Sequence, residues 1–270
     1  MPVVTWLVKE AGANPRVIAR VPPFESAFTG RLMPRPLIEL GFDIHQVGHD
    51  GECIAHSSMR LKLDDQDFRY RFVDELFAYD PQQVHLRDLF QNTPLHLASG
   101  VTVEIVKLLV ETYGADLQAR NKFGRIPLVW AVVDGKVDIV QYFCGAMKDR
   151  DIDIDTPDIS GWTALHWASF LGLNPIIRTL VEFGADCNKG NLVGRTPLHM
   201  IGYAFSDGAR TRDPFSFGNH DITRVLTVPR FPAMPEEGQE SFQGLKDLID
   251  RGADATKPDN HGNLAFFMAA

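Results

Sequence analysis

The sequence predicts an all-α protein built as an array of stacked helical repeats, because one short segment recurs at regular intervals. TPLHLA at 93–98 returns in closely related form from Thr163 and from Thr196, and a version without the histidine begins at Ile126. The successive steps between these starts are 33, 37 and 33 residues. A period in this range is typical of a repeat array rather than of a single globular core.

Each copy carries signals for where its helices begin and end. Threonine precedes the first helix of three copies, where its hydroxyl can accept from free backbone amides, and proline occupies the first helical position in two of them. A second apolar helix follows and closes with Gly-Ala-Asp, whose glycine supplies a left-handed turn. We therefore predict a turn and two antiparallel helices per repeat. The residues of this structural motif are Thr93, Pro94, His96, Gly114, Thr163, His166, Gly184, Thr196, Pro197, His199 and Gly252.

The spacing of the copies divides the chain into segments. We predict an irregular, proline-rich N-terminal cap or partial repeat over 1–36 and a repeat array over 37–270, with turn-helix starts near 53, 93, 126, 163, 196 and 264. The last step is twice the usual length, which predicts an inserted loop at about 206–240. The sequence ends inside the first helix of a further copy, so we expect a truncated chain or a piece of a longer protein.

Composition excludes several classes of partner. The chain has 27 basic and 35 acidic residues, a formal net charge of −8, which disfavours binding to nucleic acid or an anionic membrane. No apolar run reaches the roughly 18 residues of a membrane-spanning helix. The three cysteines, Cys53, Cys144 and Cys187, are too few and too widely spaced for a disulfide framework. We expect a soluble intracellular protein, cytoplasmic or nuclear.

The TPLHxA turn, the LLxxGAD helix end and the 33-residue step together resemble the ankyrin-repeat family, over about 37–270. The resemblance implies a solenoid of antiparallel helix pairs joined by outward hairpin turns, with a concave face that binds partners. It also implies a role without catalysis. The histidine of the turn then has a structural role, bridging backbone amides and carbonyls.

Other chemistry is less consistent with the sequence. The recurring histidines lie one repeat apart, too far for several of them to share one zinc ion. Cys144 and Cys187 fit small buried apolar positions. The alternating aspartates at 149–155 lack the glycine and terminal glutamate of a calcium loop, so we interpret them as a solvated acidic turn. Sequence motifs of phosphate loops, dinucleotide folds, zinc proteases and serine hydrolases are absent. We expect no catalytic residue, cofactor or metal.

The candidate partner-binding residues are those that the family resemblance places at the hairpin tips and at the end of the first helix. Many are aromatic or aliphatic, and a contiguous exposed apolar surface usually marks an interaction site. Two alternatives remain: Phe123 and Trp162 pack between hairpins, or the 206–240 insert covers the groove. The candidates are Leu89, Phe90, Lys122, Phe123, Arg125, Ile159, Trp162, Phe170, Leu171, Leu192, Val193, Arg195 and Tyr203.

Two functional hypotheses follow. The first is a non-catalytic protein–protein interaction module that binds a partner protein along the concave face and hairpin tips. The alternative is a substrate-recognition or regulatory segment of a larger multidomain enzyme, for example a ubiquitin-ligase component. A third possibility, a metal- or thiol-dependent enzyme, would require bound metal in the purified protein. The repeat consensus encodes the scaffold, so it does not name the partner.

Overall fold

A computed structural model describes residues 33–39, 43–45, 47–48, 51–60, 65–205 and 241–268. Most of the predicted N-terminal cap at 1–36, and the predicted insert at 206–240, lie outside these described residues. Within the described residues every regular element is helical, apart from an isolated antiparallel bridge between Pro258 and Leu264. This confirms the predicted all-α class.

The chain divides into two compact units, the first ending at Lys122 and the second beginning at Phe123. The elements of the first unit are α1 (Pro34–Glu39), α2 (Ile54–Arg60), α3 (Gln66–Tyr79), a 3₁₀ turn (Pro81–His85), α4 (Pro94–Ala98) and α5 (Val103–Lys107), which continues as a π-helical turn (Leu108–Thr112). Helix α2 packs against α4, and α3 packs against α1. Large apolar side chains such as Phe72 and Phe77 of α3 are fully buried in the core of this unit.

The second unit is a two-layer stack of helices. Its elements are α6 (Pro127–Val133), α7 (Val137–Lys148), α8 (Ala164–Phe170), α9 (Asn174–Glu182), α10 (Pro197–Phe205), α11 (Ser241–Asp250) and a 3₁₀ turn (Ala265–Met268). One layer consists of α6, α8, α10 and the 3₁₀ turn, each packed on the next. The other layer consists of α7, α9 and α11. The core between the layers contains wholly buried residues such as Leu165, Phe143 and Leu180.

A threonine–histidine pair fixes the start of α4, α8 and α10. At α8, the backbone N–H of Thr163 donates to Nδ1 of His166 (3.1 Å), while the His166 N–H donates to the Thr163 hydroxyl (3.4 Å). Because Nδ1 accepts, Nε2 carries the proton, and it donates to the Arg195 carbonyl at 2.9 Å. His199 bonds in the same way to the Asn263 carbonyl, at 3.1 Å. His166 and His199 therefore tie the starts of α8 and α10 to the following hairpin.

Cys53 replaces the threonine in the most N-terminal of these pairs. Its thiol lies 3.1 Å from Nδ1 of His56, and Nε2 of His56 lies 3.0 Å from the Asn92 carbonyl. Both residues are buried. The thiol thus fills the place of the hydroxyl, and the histidine keeps its contact with the next hairpin inside the first unit.

Candidate partner-binding surface

Each hairpin of the second unit is held by an aspartate or asparagine that binds its own turn. Oδ1 of Asp158 accepts from the backbone amides of Ser160 (2.8 Å) and Trp162 (3.0 Å). Asn191 and Asp259 bind the amides two and four residues further on in the same way, at 2.9–3.1 Å. Such side-chain bonds fix a tight turn without help from a partner.

Backbone hydrogen bonds join neighbouring hairpins into one row. The N–H of Ile159 donates to the Phe123 carbonyl at 3.1 Å, and the N–H of Leu192 donates to the Ser160 carbonyl at 3.3 Å. The N–H of Asn260 donates to the Val193 carbonyl at 3.0 Å. The spacing between the tips is therefore set by main-chain contacts that do not depend on the exposed side chains.

Three aliphatic side chains project from these tips, and we call them the tip ridge. Ile159 is 64% exposed, Leu192 70% and Val193 40%. Isolated exposed aliphatic residues are ordinary on protein surfaces, but a row of them on a fixed backbone is typical of a contact surface.

An aromatic cluster lies beside the tip ridge. The ring of Trp162 is 4.7 Å from that of Trp167 and 5.5 Å, edge-on, from that of Phe170. The Arg125 guanidinium lies 4.4 Å from the centre of the Trp167 ring and 5.4 Å from that of Phe123. These contacts hold Trp162 half-buried and give the tips a rigid base.

Two of the candidate partner-binding residues in the second unit are wrong as exposed positions. Arg125 is only 8% exposed, because its side chain lies over Trp167 and its Nε is 3.6 Å from Asp158. Phe170 is 6% exposed, because it packs on Trp162.

The remaining candidates divide by exposure. Those that are half-buried are Phe123, Trp162, Leu171 and Arg195. The ring of Trp162 packs on Trp167 and Phe170 of α8. The alternative of cover by the insert concerns residues outside the described part of the chain, as does the side chain of Tyr203.

The first unit carries the other three candidates on one pair of turns. Leu89 and Lys122 are exposed, and Phe90 is half-buried. Asp88 accepts from the Phe90 amide at 2.8 Å, and the Phe90 carbonyl accepts from the Lys122 N–H at 2.8 Å. These tips are built in the same way as those of the second unit.

Buried carboxylates at the base of the hairpins were missed by the sequence analysis. Oδ2 of Asp158 accepts from Nε1 of Trp167 at 3.2 Å, and Oδ2 of Asp259 accepts from Nε of Arg195 at 3.3 Å. Although burial opposes it, hydrogen bonds from Asn263, His261 and Arg195 hold the pKa of Asp259 well below its usual range. A signal for these residues exists, because Asp or Asn stands five residues before every copy from 93 onward.

The repeat histidines and the cysteines considered for metal or thiol chemistry are all buried. No group of three or more His, Cys, Asp or Glu in the described residues is arranged to hold a metal ion. Cys144 and Cys187 are buried and unbridged. Burial raises the pKa of Cys144 to about 12 and also raises that of Cys187, so both thiols stay protonated at neutral pH.

The close approach of two hairpins leads to a first prediction, at Gly161. A Cβ at this position would lie 2.6 Å from the Leu192 backbone nitrogen, and the glycine has a φ of +78°. Gly172 also has a positive φ, +66°, but a Cβ there would meet nothing within 4 Å. Both alanine variants therefore carry the left-handed strain of about 1–2 kcal/mol. Gly161→Ala should cost about 1–3 kcal/mol more than Gly172→Ala in urea unfolding, because the hairpins must separate. Equal losses of unfolding free energy in the two variants would show that the hairpins at Gly161 and Leu192 are not in close contact.

Comparison with known proteins decides the family. A profile of three ankyrin repeats matches 66–158, and a single-repeat profile matches 160–192. The chain contains ankyrin repeats over 66–158 and 160–192. This confirms the resemblance drawn from the TPLHxA and Gly-Ala-Asp segments, and within the second unit the matched residues include α6, α7, α8 and α9.

The relatives of this ankyrin-repeat chain have diverse names. B-cell lymphoma 3 protein homolog of Mus musculus is 38% identical over 107 residues, 39% of this chain and 23% of that protein. The probable 26S proteasome regulatory subunit p28 of Saccharomyces cerevisiae is 33% identical over 150 residues, which are 51% of this chain and 65% of that protein. The probable E3 ubiquitin-protein ligase XBOS33 of Oryza sativa is 30% identical over 186 residues, which cover 61% of this chain and 32% of that protein. The chain thus spans less than two thirds of each of them. No helix among the described residues is long and apolar enough to cross a membrane.

Proposed function

We propose that this ankyrin-repeat chain is a non-catalytic module that binds another protein through the tip ridge of Ile159, Leu192 and Val193. The observation that carries the proposal is the exposure of these three aliphatic side chains on hairpins whose backbone is already fixed. A rigid surface loses little conformational entropy on binding, so the burial of its apolar side chains adds directly to affinity.

The aromatic cluster supports the same proposal. Trp162 is half-buried against Trp167 and Phe170, so part of its ring remains open beside the ridge without being free to change position. Tryptophan and arginine are enriched among the residues that dominate binding energies. Because Arg125 is turned inward onto Trp167, we assign it to the support of the surface and not to contact with the partner.

Loss of the ridge should weaken capture while leaving the fold intact. We expect the double variant Ile159→Ser with Leu192→Ser to bind proteins captured by the unaltered chain about tenfold or more weakly, because these are the two most exposed side chains of the tip ridge. The measurement is affinity capture from a native lysate, followed by titration of the purified partner.

A matched control removes exposed aliphatic side chains elsewhere in the second unit. Val137 of α7 and Ile249 of α11 are both exposed, and Val137→Ser with Ile249→Ser should leave capture unchanged. Equal loss in both double variants would indicate a general effect of surface hydrophobicity, and full retention in the ridge variant would refute the proposed surface.

The alternative function is that of a recognition segment in a larger enzyme. The specific observation in its favour is the match to a probable E3 ubiquitin-protein ligase, of which this chain covers 32%. The two functions differ in what happens after binding. A captured partner that becomes ubiquitylated only by a longer product of the same gene would support the alternative, and a transcript that encodes nothing beyond 1–270 would exclude it.

We place the protein inside the cell, in the cytoplasm or nucleus. All three cysteines are buried and form no disulfide, which suits a reducing compartment. Localisation of a tagged chain by fluorescence would test this placement.

A further inference from the structure

The second helices of the stack end in turns that are joined to one another by side chains. Asn188 makes one such joint with the turn that contains Gly252 and Asp254. Its Oδ1 accepts from the Asp254 backbone N–H at 2.7 Å, and its Nδ2 donates to the Gly252 carbonyl at 2.8 Å. The amide therefore meets one donor and one acceptor of the next turn.

Asp155 occupies the same place one repeat earlier. Its Oδ2 accepts from the Asp186 backbone N–H at 2.8 Å, as Asn188 accepts from Asp254. Asp186 and Asp254 are both the last residue of a Gly-Ala-Asp turn, so the two joints are equivalent. Asp155 is only 7% exposed, and its other oxygen, Oδ1, is buried with no hydrogen-bond partner among the described residues.

The two joints differ by one hydrogen-bond donor. Where Asn188 presents an N–H₂ group to a glycine carbonyl, an ionised Asp155 presents a second oxygen with nothing to donate. A buried acceptor without a donor costs about 1–3 kcal/mol. We infer that Asp155 is a pH-sensitive joint: a proton on Oδ1 supplies the missing donor, directed at the Gly184 carbonyl, and tightens the second unit as the pH falls.

The electrostatic surroundings favour the protonated form. Burial raises the pKa of Asp155, and the nearby carboxylates of Asp153 and Asp186 raise it further. The Asp186 backbone N–H and the Lys189 ammonium oppose this shift without cancelling it. The buried thiol of Cys187 is the other titratable group that faces Asp155, and it is neutral because its own pKa is raised.

The raised pKa of Asp155 determines whether acid stabilises or destabilises the fold. Because the pKa of Asp155 is higher in the folded than in the unfolded chain, the folded chain holds more protons over the interval between the two values. The contribution of Asp155 to stability therefore increases as the pH falls through this interval and is lost as the pH rises.

Two reciprocal variants test the inference in the full chain. Asp155→Asn installs the amide found at 188, and should raise the folding equilibrium constant about tenfold at pH 7. Asn188→Asp should lower it by a similar factor. Both differences should shrink as the pH falls towards 3.8, the ordinary value for Asp. Urea unfolding followed by tryptophan fluorescence is suitable, because Trp130, Trp162 and Trp167 all belong to the second unit.

A direct titration completes the test. The ¹³C shift of the Asp155 side-chain carboxyl should change at a pH above the ordinary value of 3.8. The inference is overturned if this carboxyl titrates at or below that value, or if Asp155→Asn is no more stable than the unaltered chain at pH 7. Failure of Asp155→Asn to fold would overturn it as well, because the inference requires that an amide fits this site.

Discussion

Replacement of Asp158 by alanine is expected to destabilise the second unit by about 3–5 kcal/mol, because it leaves the buried Arg125 without its counter-ion. The two side chains are 9% and 3% exposed, and Nε of Arg125 lies 3.6 Å from Oδ2 of Asp158. A buried guanidinium does not lose its proton at any practical pH, although burial lowers its pKa. Its charge must therefore remain in the protein interior without the Asp158 carboxylate beside it.

The same substitution removes three further hydrogen bonds. Asp158 accepts from the backbone amides of Ser160 and Trp162, and from Nε1 of Trp167 at 3.2 Å. The first two shape the hairpin that carries Ile159, and the third anchors the aromatic cluster. We therefore expect the tip ridge to lose its order together with the loss of stability.

Asp158→Asn separates these contributions. Asn191 shows that an asparagine can hold the hairpin, since its Oδ1 accepts from the amides of Val193 and Arg195. Asp158→Asn should therefore keep the turn but lose the charge, and destabilise the unit less than alanine does. Adding Arg125→Met to Asp158→Asn should recover part of the loss, because the unpaired charge is then absent.

Urea unfolding by tryptophan fluorescence measures all of these variants. The interpretation fails if Asp158→Ala costs less than about 1 kcal/mol, or if Arg125→Met makes the asparagine variant worse instead of better.

The fold was predictable because the same short segment recurs at regular intervals in the amino-acid sequence. The copies at 93, 163 and 196 share the residues that start a helix, and a stack of identical units needs no long-range information beyond the period. The comparisons confirm the family and the all-α class on this basis.

The candidate site was less predictable, because equivalent positions in different repeats differ in how far their side chains are buried. Arg125 and Arg195 stand at the same place in their hairpins, yet Arg125 is buried and Arg195 is half-buried. The difference arises from neighbours: Arg125 lies over Trp167 of the next copy, whereas the corresponding residue in the copy after Arg195 is Met268. Position within the repeat therefore predicted the backbone, but exposure depended on side chains in the adjacent copy.

Buried polar residues show the same limit. Asp158 and Asp259 could have been found from their recurrence five residues before each copy, since a short polar residue at a fixed turn position indicates a side-chain cap. Their ion pairs could not, because each pair joins one hairpin to the next.

Acidification from neutral pH is expected to remove about 3 kcal/mol of stability through His166 alone. Burial lowers the pKa of His166 from its ordinary 6.5 to about 4. Its Nδ1 accepts from the Thr163 N–H and its Nε2 donates to the Arg195 carbonyl, so a second proton would break the first bond and bury a charge. Between pH 6.5 and 4 the unfolded chain binds this proton and the folded chain does not, so stability falls as the pH falls. Each pKa unit corresponds to about 1.4 kcal/mol.

His166→Gln tests this assignment, because glutamine keeps an amide group near the helix start but does not titrate. The variant should be less stable at pH 7, yet its unfolding free energy should change less between pH 6.5 and 4 than that of the unaltered chain. The proton NMR shift of the His166 ring should remain that of a neutral imidazole until the pH approaches 4. Asp155 acts in the opposite direction over the acid range, so the comparison is best made on an Asp155→Asn background. If, on that background, the unfolding free energy changes equally with pH in the chain with His166 and in the chain with His166→Gln, another group controls the acid transition, and His166 is protonated without cost in the folded state.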